Sequence, residues 1–158
     1  AIRTLAAVER TDVELLLAGT GRLEDDLKAL ARELGVADQV EFLGYVQEEA
    51  LPTLYAAADV LLFTSNYEGF GLVFMESLAS GTPVVGTPVG GIPDIVKNGE
   101  TGYICPADPA LIADRVLELA DNSEKLATMS HAAREEVAER EWTDVASRVE
   151  EVYESVVD

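Results

Sequence analysis

Short apolar runs alternating with longer segments of helical period constrain this chain more than any other feature. Val13-Glu-Leu-Leu-Leu-Ala18 leads into Gly19-Thr-Gly21, and Gln39 to Leu43 stops at Gly44. Asp59-Val-Leu-Leu-Phe63, the pair Val84-Val85, and Gly102 to Cys105 repeat the pattern. Runs this short and continuous suit strands buried on both faces. Between them lie helical patterns. Leu23 to Leu34 places Leu23, Leu27, Leu30, Ala31 and Leu34 on one face, with Gly35 suited to its end. Glu48 to Ala57 carries Pro52 near its first turn, where proline is tolerated. Leu72 to Ser80 is stopped by Gly81 and Pro83, and a short helix is expected near Pro93 to Lys97. Strand and helix in alternation predict an α/β fold: a Rossmann-like parallel sheet with flanking helices.

Residues 1–10 read as the end of a helix, whereas a doubly wound unit opens with a strand, usually mid-sheet. The expectation is therefore a sheet whose first strand is missing. Such a sheet must close up, borrow a strand or stay marginal. From Pro109 onward the pattern is helical, over 109–120, 123–139 and 143–157. One domain over residues 1–158 is expected, with 109–158 a helical extension packed on it. The tail carries too many aliphatic residues, plus Trp142 as an anchor for the last helix and Tyr153, to read as a disordered acidic arm.

Charge narrows the function classes. Eleven Lys and Arg stand against 30 Asp and Glu, a net charge of -19. Nucleic acid and anionic lipid are poor general partners for such a surface. No apolar run approaches the roughly 18 residues that span a membrane, and the N-terminus lacks signal-peptide organisation. A cytoplasmic location is expected, with membrane association of a parent protein left open. Cys105 and His131 are the only residues of their kinds, so no Cys-rich or His-rich metal site exists and no metal is expected. Cys105 reads as core and His131 as a solvated helix residue. Only Lys28, Lys97 and Lys125 are lysine. Excess carboxylate with few lysines suits a surface hydrated in molar salt, and an ordinary acidic protein is the equal alternative.

The stretch Ser65-Asn-Tyr-Glu68-Gly-Phe-Gly71-Leu-Val-Phe-Met-Glu76 is the strongest candidate for chemistry. It follows a parallel strand, where open α/β sheets bind ligands. Gly69 and Gly71 permit close backbone approach, and free amides at the next helix start can hold a phosphate or sugar oxygen. Glu76 is the only charge between Leu72 and Ala79, and a ribose diol would give its carboxylate a partner. Glu68 would lie toward the other end of the same ligand. Gly90-Gly91-Ile-Pro-Asp94 opens a second helix beside this loop; its amides would cap the same phosphate, or form only a tight turn. Tyr45 and Val46 end another strand and can edge a base or simply turn the chain. Gly19-Thr-Gly21-Arg-Leu-Glu24 invites a dinucleotide reading, but Glu24 stands where the third glycine belongs.

Taken together these residues resemble the C-terminal, donor-binding half of retaining glycosyltransferases of the GT-B fold, of the group 1 type. Glu68 and Glu76 within Glu68-Gly-Phe-Gly71-Leu-Val-Phe-Met-Glu76 carry the resemblance. Ala18-Gly-Thr-Gly21, Phe42-Leu-Gly-Tyr-Val46, Ala57-Ala-Asp59, Gly90-Gly91 and Gly102-Tyr-Ile104 join it. It implies a nucleotide-sugar donor site without a cofactor or metal. Glu76 would bind the ribose hydroxyls and Glu68 the transferred sugar. Phe70, Gly71 and Leu72 would face sugar and diphosphate, and Tyr45-Val46 would border the base. Helix 143–157 is similar to the terminal helix that crosses back to the N-terminal domain in the family. In the family that other domain holds the acceptor (glycan, lipid or small molecule), and an upstream loop supplies Arg and Lys to the diphosphate. The fragment alone is therefore expected to be inactive in transfer. The alternatives are a non-catalytic nucleotide-sugar-binding or interaction module, or half of a GT-B nucleotide-sugar epimerase. Base, sugar, acceptor and oligomeric state stay open.

Overall fold

The computed structural model describes residues 1–67, Gly69, 71–138 and 142–157, and within the last helix it leaves the side chains of Trp142, Asp144, Val145, Arg148 and Val157 undescribed. Glu68 and Phe70 lie outside the described residues, as does the Trp142 side chain expected to anchor the last helix. The elements run α1 (Ile2–Val8), β1 (Leu15–Ala18), α2 (Glu24–Glu33), β2 (Val40–Gly44), α3 (Leu51–Ala57), β3 (Leu61–Phe63), α4 (Leu72–Ala79), β4 (Val84–Gly86), α5 (Ile92–Ile95), β5 (Gly102–Ile104), α6 (Pro109–Ala120), α7 (Ser123–Ala138) and α8 (Trp142–Val157). Single 3-10 turns at Ala37–Gln39 and Glu48–Ala50 lead into β2 and α3. The expected strands and helices are all present, with ends shifted by up to three residues.

All strand pairs are parallel. β1 pairs with β2 in the register Leu15 to Val40, and β4 pairs with β3 (Val84 to Leu61) and with β5 (Val84 to Gly102). Parallel neighbours need crossovers, and α2, α4 and α5 supply them. β4 lies in the middle of its sheet, and Val84 and Val85 are fully buried. Alternation along the strands sends side chains to two cores. Leu61, Phe63 and Val84 meet Phe74 and Leu78 of α4 with Ile92 of α5. The Phe63 and Phe74 rings stack edge to face, 4.7 Å between centroids. On the other face Val85 and Tyr103, with Leu62, meet Ile112 and Leu119 of α6 and Met129 of α7. Cys105 is buried in that second core.

The strands fall into two sheets rather than one. Among the described residues no ladder joins β1–β2 to β3–β4–β5. Helix packing joins them instead. Ile2 and Leu5 of α1 share a third core with Ala31 and Val36 and with Leu15 and Leu17 of β1, while α1 also packs along α6. The ammonium of Ala1 donates to Thr64 Oγ1 just past β3, at 2.8 Å. Arg10, after α1, reaches Asp121 at the end of α6 at 2.5 Å. β1 is correspondingly less covered than β4: Leu16 is 39% exposed. So the sheet has not closed up across β1 and β3.

Helix ends follow the sequence. The Asp108 side chain accepts from the amides of Ala110 and Leu111 at 2.8 and 3.3 Å, and Pro109 sits in the first turn of α6, where no amide is needed. Along α8 the described side chains of Val149, Val152, Tyr153 and Val156 are exposed.

Candidate functional site

The candidate site lies at the carboxyl ends of β3 and β4. Because these strands are parallel neighbours, the chains leaving them emerge side by side. One runs from Thr64 to Gly71 into α4, the other from Thr87 to Gly91 into α5. Thr87 stitches them together. Its amide donates to the Phe63 carbonyl at 3.1 Å and its Oγ1 to the Ser65 carbonyl at 2.7 Å, and it is 1% exposed. Ser65 Oγ donates in turn to the Tyr67 carbonyl at 2.7 Å, which curls the first loop.

α4 begins on Gly71, whose φ of 81° and ψ of 43° lie in the left-handed region. A Cβ at this position would collide with the buried ring of Phe74. Glycine is thus required twice over, by the backbone and by the ring beneath it. With Gly71 as the cap, no side chain among the described residues caps α4, and its first turn carries no acid. The amides and dipole of this end favour an anion. Leu72, the first helical residue, is 60% exposed.

Glu76 stands five residues along α4 from Gly71, about 7.5 Å in helix rise. Its side chain is at the surface, and its Oε2 accepts from the Tyr55 hydroxyl on α3 at 3.1 Å. Burial, and then the Glu76 carboxylate, push the Tyr55 phenol up to about 12. Tyr55 therefore stays protonated and keeps donating. An anion-favouring helix end and a held carboxylate on one helix suit a ligand with phosphate at one end and a diol at the other.

The structure brings only some of the expected residues to this place. Gly71, Leu72 and Glu76 share α4, and Gly90 and Gly91 join them through the Thr87 bonds, Val89 donating to the Thr87 carbonyl at 2.8 Å. Tyr45 and Val46 leave β2 in the other sheet. Tyr45 is 72% exposed, and no hydrogen bond among the described residues links either to α4. A cavity of about 290 Å³ opens nearby, between the start of α1, Leu27 and Leu30 of α2, the loop residues Thr64, Asn66 and Thr87, and Ile112 of α6. His131 is exposed on α7, 3.2 Å from Glu135. Burial pushes the Cys105 thiol up, which leaves it the less reactive. Among the described residues no group of three His, Cys, Asp or Glu comes together, and no helix is long and apolar enough to cross a membrane.

Sequence reasoning missed Tyr55 and Thr87. Thr87 had a signal, its place one residue beyond a strand end; Tyr55 had none, because only the packing of α3 on α4 brings it to Glu76.

The family model of glycosyl transferases group 1 matches residues 1–136. This chain belongs to that family. Among curated group 1 relatives, the N-acetyl-alpha-D-glucosaminyl L-malate synthase of Bacillus anthracis is 36% identical over 152 residues, 95% of this chain and 39% of that protein. The D-inositol 3-phosphate glycosyltransferase of Corynebacterium diphtheriae is 44% identical over 125 residues, 78% of this chain and 29% of that protein. The chain thus spans well under half the length of these curated relatives. Among solved structures, Anabaena HepE in complex with UDP superposes with a TM-score of 0.85 at 27% identity, over 98% of this chain and 44% of HepE. HepE has also been solved with UDP-glucose. The fold is the Rossmann-like C-terminal half of the GT-B architecture.

Proposed function

We propose that this chain is the donor-binding half of a glycosyltransferase, which moves a sugar from a nucleoside diphosphate to an acceptor with retention of configuration. The observation that carries the reading is the Gly71–Glu76 arrangement on α4: a glycine-capped helix start for a diphosphate and, about 7.5 Å on, a carboxylate for the ribose hydroxyls. Membership of the group 1 family and the likeness to HepE, which was solved with UDP and UDP-glucose, support it.

In this reading the residues act by positioning and electrostatics. The Leu72 end of α4, with its dipole, takes up the negative charge that grows on the departing nucleoside diphosphate. Gly71 lets the donor come within reach of those amides. Gly90 and Gly91 lie against the same phosphates from the neighbouring loop. Glu76 fixes the ribose, Glu68 holds the transferred sugar, the backbone at Phe70 faces sugar and diphosphate, and Tyr45 with Val46 borders the base. The donor enters as substrate rather than as a cofactor, and no step in this reading runs through a metal. The acceptor is a glycan, a lipid or a small molecule bound by the other half of such an enzyme, and these 158 residues alone bind donor without transferring it. A cytoplasm rich in salt suits the surface charge of -19.

Calorimetry with UDP, GDP and ADP, in molar KCl, tests the reading beside a Glu76→Ala variant. Binding of one nucleotide, weakened at least tenfold in the variant, is the expected result. Equal binding by wild type and variant would remove Glu76 from the site.

A further inference from the structure

The bond between Tyr55 and Glu76 belongs to a closed circuit. The Tyr55 carbonyl accepts from Thr82 Oγ1 at 2.6 Å, and the Thr82 carbonyl accepts from Ser77 Oγ at 2.8 Å. The Thr82 amide donates back to the Ser77 carbonyl at 2.8 Å, and Ser77 adjoins Glu76 on α4. Ser77 and Thr82 are buried, with 0% and 1% exposure. The backbone of α3 at Tyr55 is therefore pinned to the α4–β4 turn from within the core. From that fixed point the phenol reaches Glu76 Oε2 at 3.1 Å.

A surface glutamate has three rotatable bonds, and holding it in one rotamer costs entropy that a ligand would otherwise supply. Tyr55 removes part of that cost before any ligand arrives. It also occupies one carboxylate oxygen, so the geometry leaves Oε1 for a diol. A hydroxyl that stays protonated to about pH 12 can only donate in this role at ordinary pH.

We propose that Tyr55 is a positioning residue of the donor site: it holds Glu76 through Oε2 so that Oε1 meets the ribose hydroxyls. The proposal rests on the donor-binding reading of Glu76. Its signature is a preference for ribose that depends on Tyr55, because only the diol end of the ligand touches the carboxylate.

The experiment measures affinities of UDP, GDP and ADP, each against its 2′,3′-dideoxy counterpart, for wild type, Tyr55→Phe, Glu76→Gln and the double variant. Thermal unfolding of each variant checks the fold. Tyr55→Phe should weaken the ribonucleotide about tenfold, the size expected of a hydrogen bond to a charged group, and leave the dideoxynucleotide within about twofold. In the double variant the Tyr55 substitution should add nothing to Glu76→Gln, which shows the two residues acting as one unit. An unchanged ribose preference in Tyr55→Phe, or equal weakening of both ligands, overturns the role of Tyr55 while leaving Glu76 in place. If the wild type shows no ribose preference, the reading of Glu76 itself falls and this proposal falls with it.

Discussion

Thr87 Oγ1 donates to the Ser65 carbonyl at 2.7 Å, and through this bond the loops leaving β3 and β4 become one surface. The Thr87 amide adds a second bond across the same seam, to the Phe63 carbonyl at 3.1 Å. Thr87→Val keeps the shape and deletes the donor, leaving a carbonyl short of a partner. The expected cost is about 1 kcal/mol of stability, read from urea midpoints, with weaker nucleotide binding. An unchanged midpoint and an unchanged affinity would show the bond to be idle.

Gly102 sits in β5 against the central strand. A Cβ there would run into the backbone carbonyl of Val84 and crowd the Val96 side chain. Neither can yield cheaply, because the Val84 carbonyl belongs to the ladder and Val96 is 2% exposed. Gly102→Ala should destabilise by about 1–3 kcal/mol, a fall of several degrees in Tm for a chain of this size. A Tm within a degree of wild type would contradict this packing.

Glu118 on α6 gathers Lys125, the Tyr103 hydroxyl and Arg115, which together hold its carboxyl down at about 2, below the ordinary 4.5. A carboxyl depressed by folding stabilises above its unfolded value and loses that contribution as pH falls through the folded one. The wild type should therefore exceed Glu118→Gln in stability above pH 4.5, and the gap should close as pH approaches 2. The side chain is 31% exposed, so solvent screening keeps the gap small. Urea midpoints of both proteins along the pH series measure it; a gap constant with pH would refute the assignment.

A surface of charge -19 repels itself, and salt screens that repulsion within a Debye length that shrinks to a few ångströms at molar strength. Thermal stability should rise steadily from dilute buffer to molar KCl. Indifference to KCl would mark the acidity as ordinary.

Much of this architecture was legible because it rests on local rules. The runs at Leu15–Ala18 and Leu61–Phe63, the stop at Gly81 and Pro83, and the Asp108-Pro109 start of α6 are written in residue types and spacings. The division into two sheets was not, since strand pairing is decided by chain segments far apart. The site divides in the same way. Gly71 and Glu76 are five residues apart on one helix and could be read together. Tyr55 comes from another helix, and its partner Thr82 is a buried threonine with no pattern to mark it. Tyr45 and Val46 show the converse limit: their place at a strand end was readable, their strand's membership of the other sheet was not.

The most direct test of donor binding is an amide chemical-shift titration of the 158-residue chain with UDP, GDP and ADP in molar KCl. The account predicts that one nucleotide shifts Gly71, Leu72 and the residues around Glu76 first, with Gly90 and Gly91 following, and that Glu76→Ala abolishes the response. A well-dispersed spectrum that none of the three nucleotides perturbs, or shifts confined to residues far from α4, would contradict it.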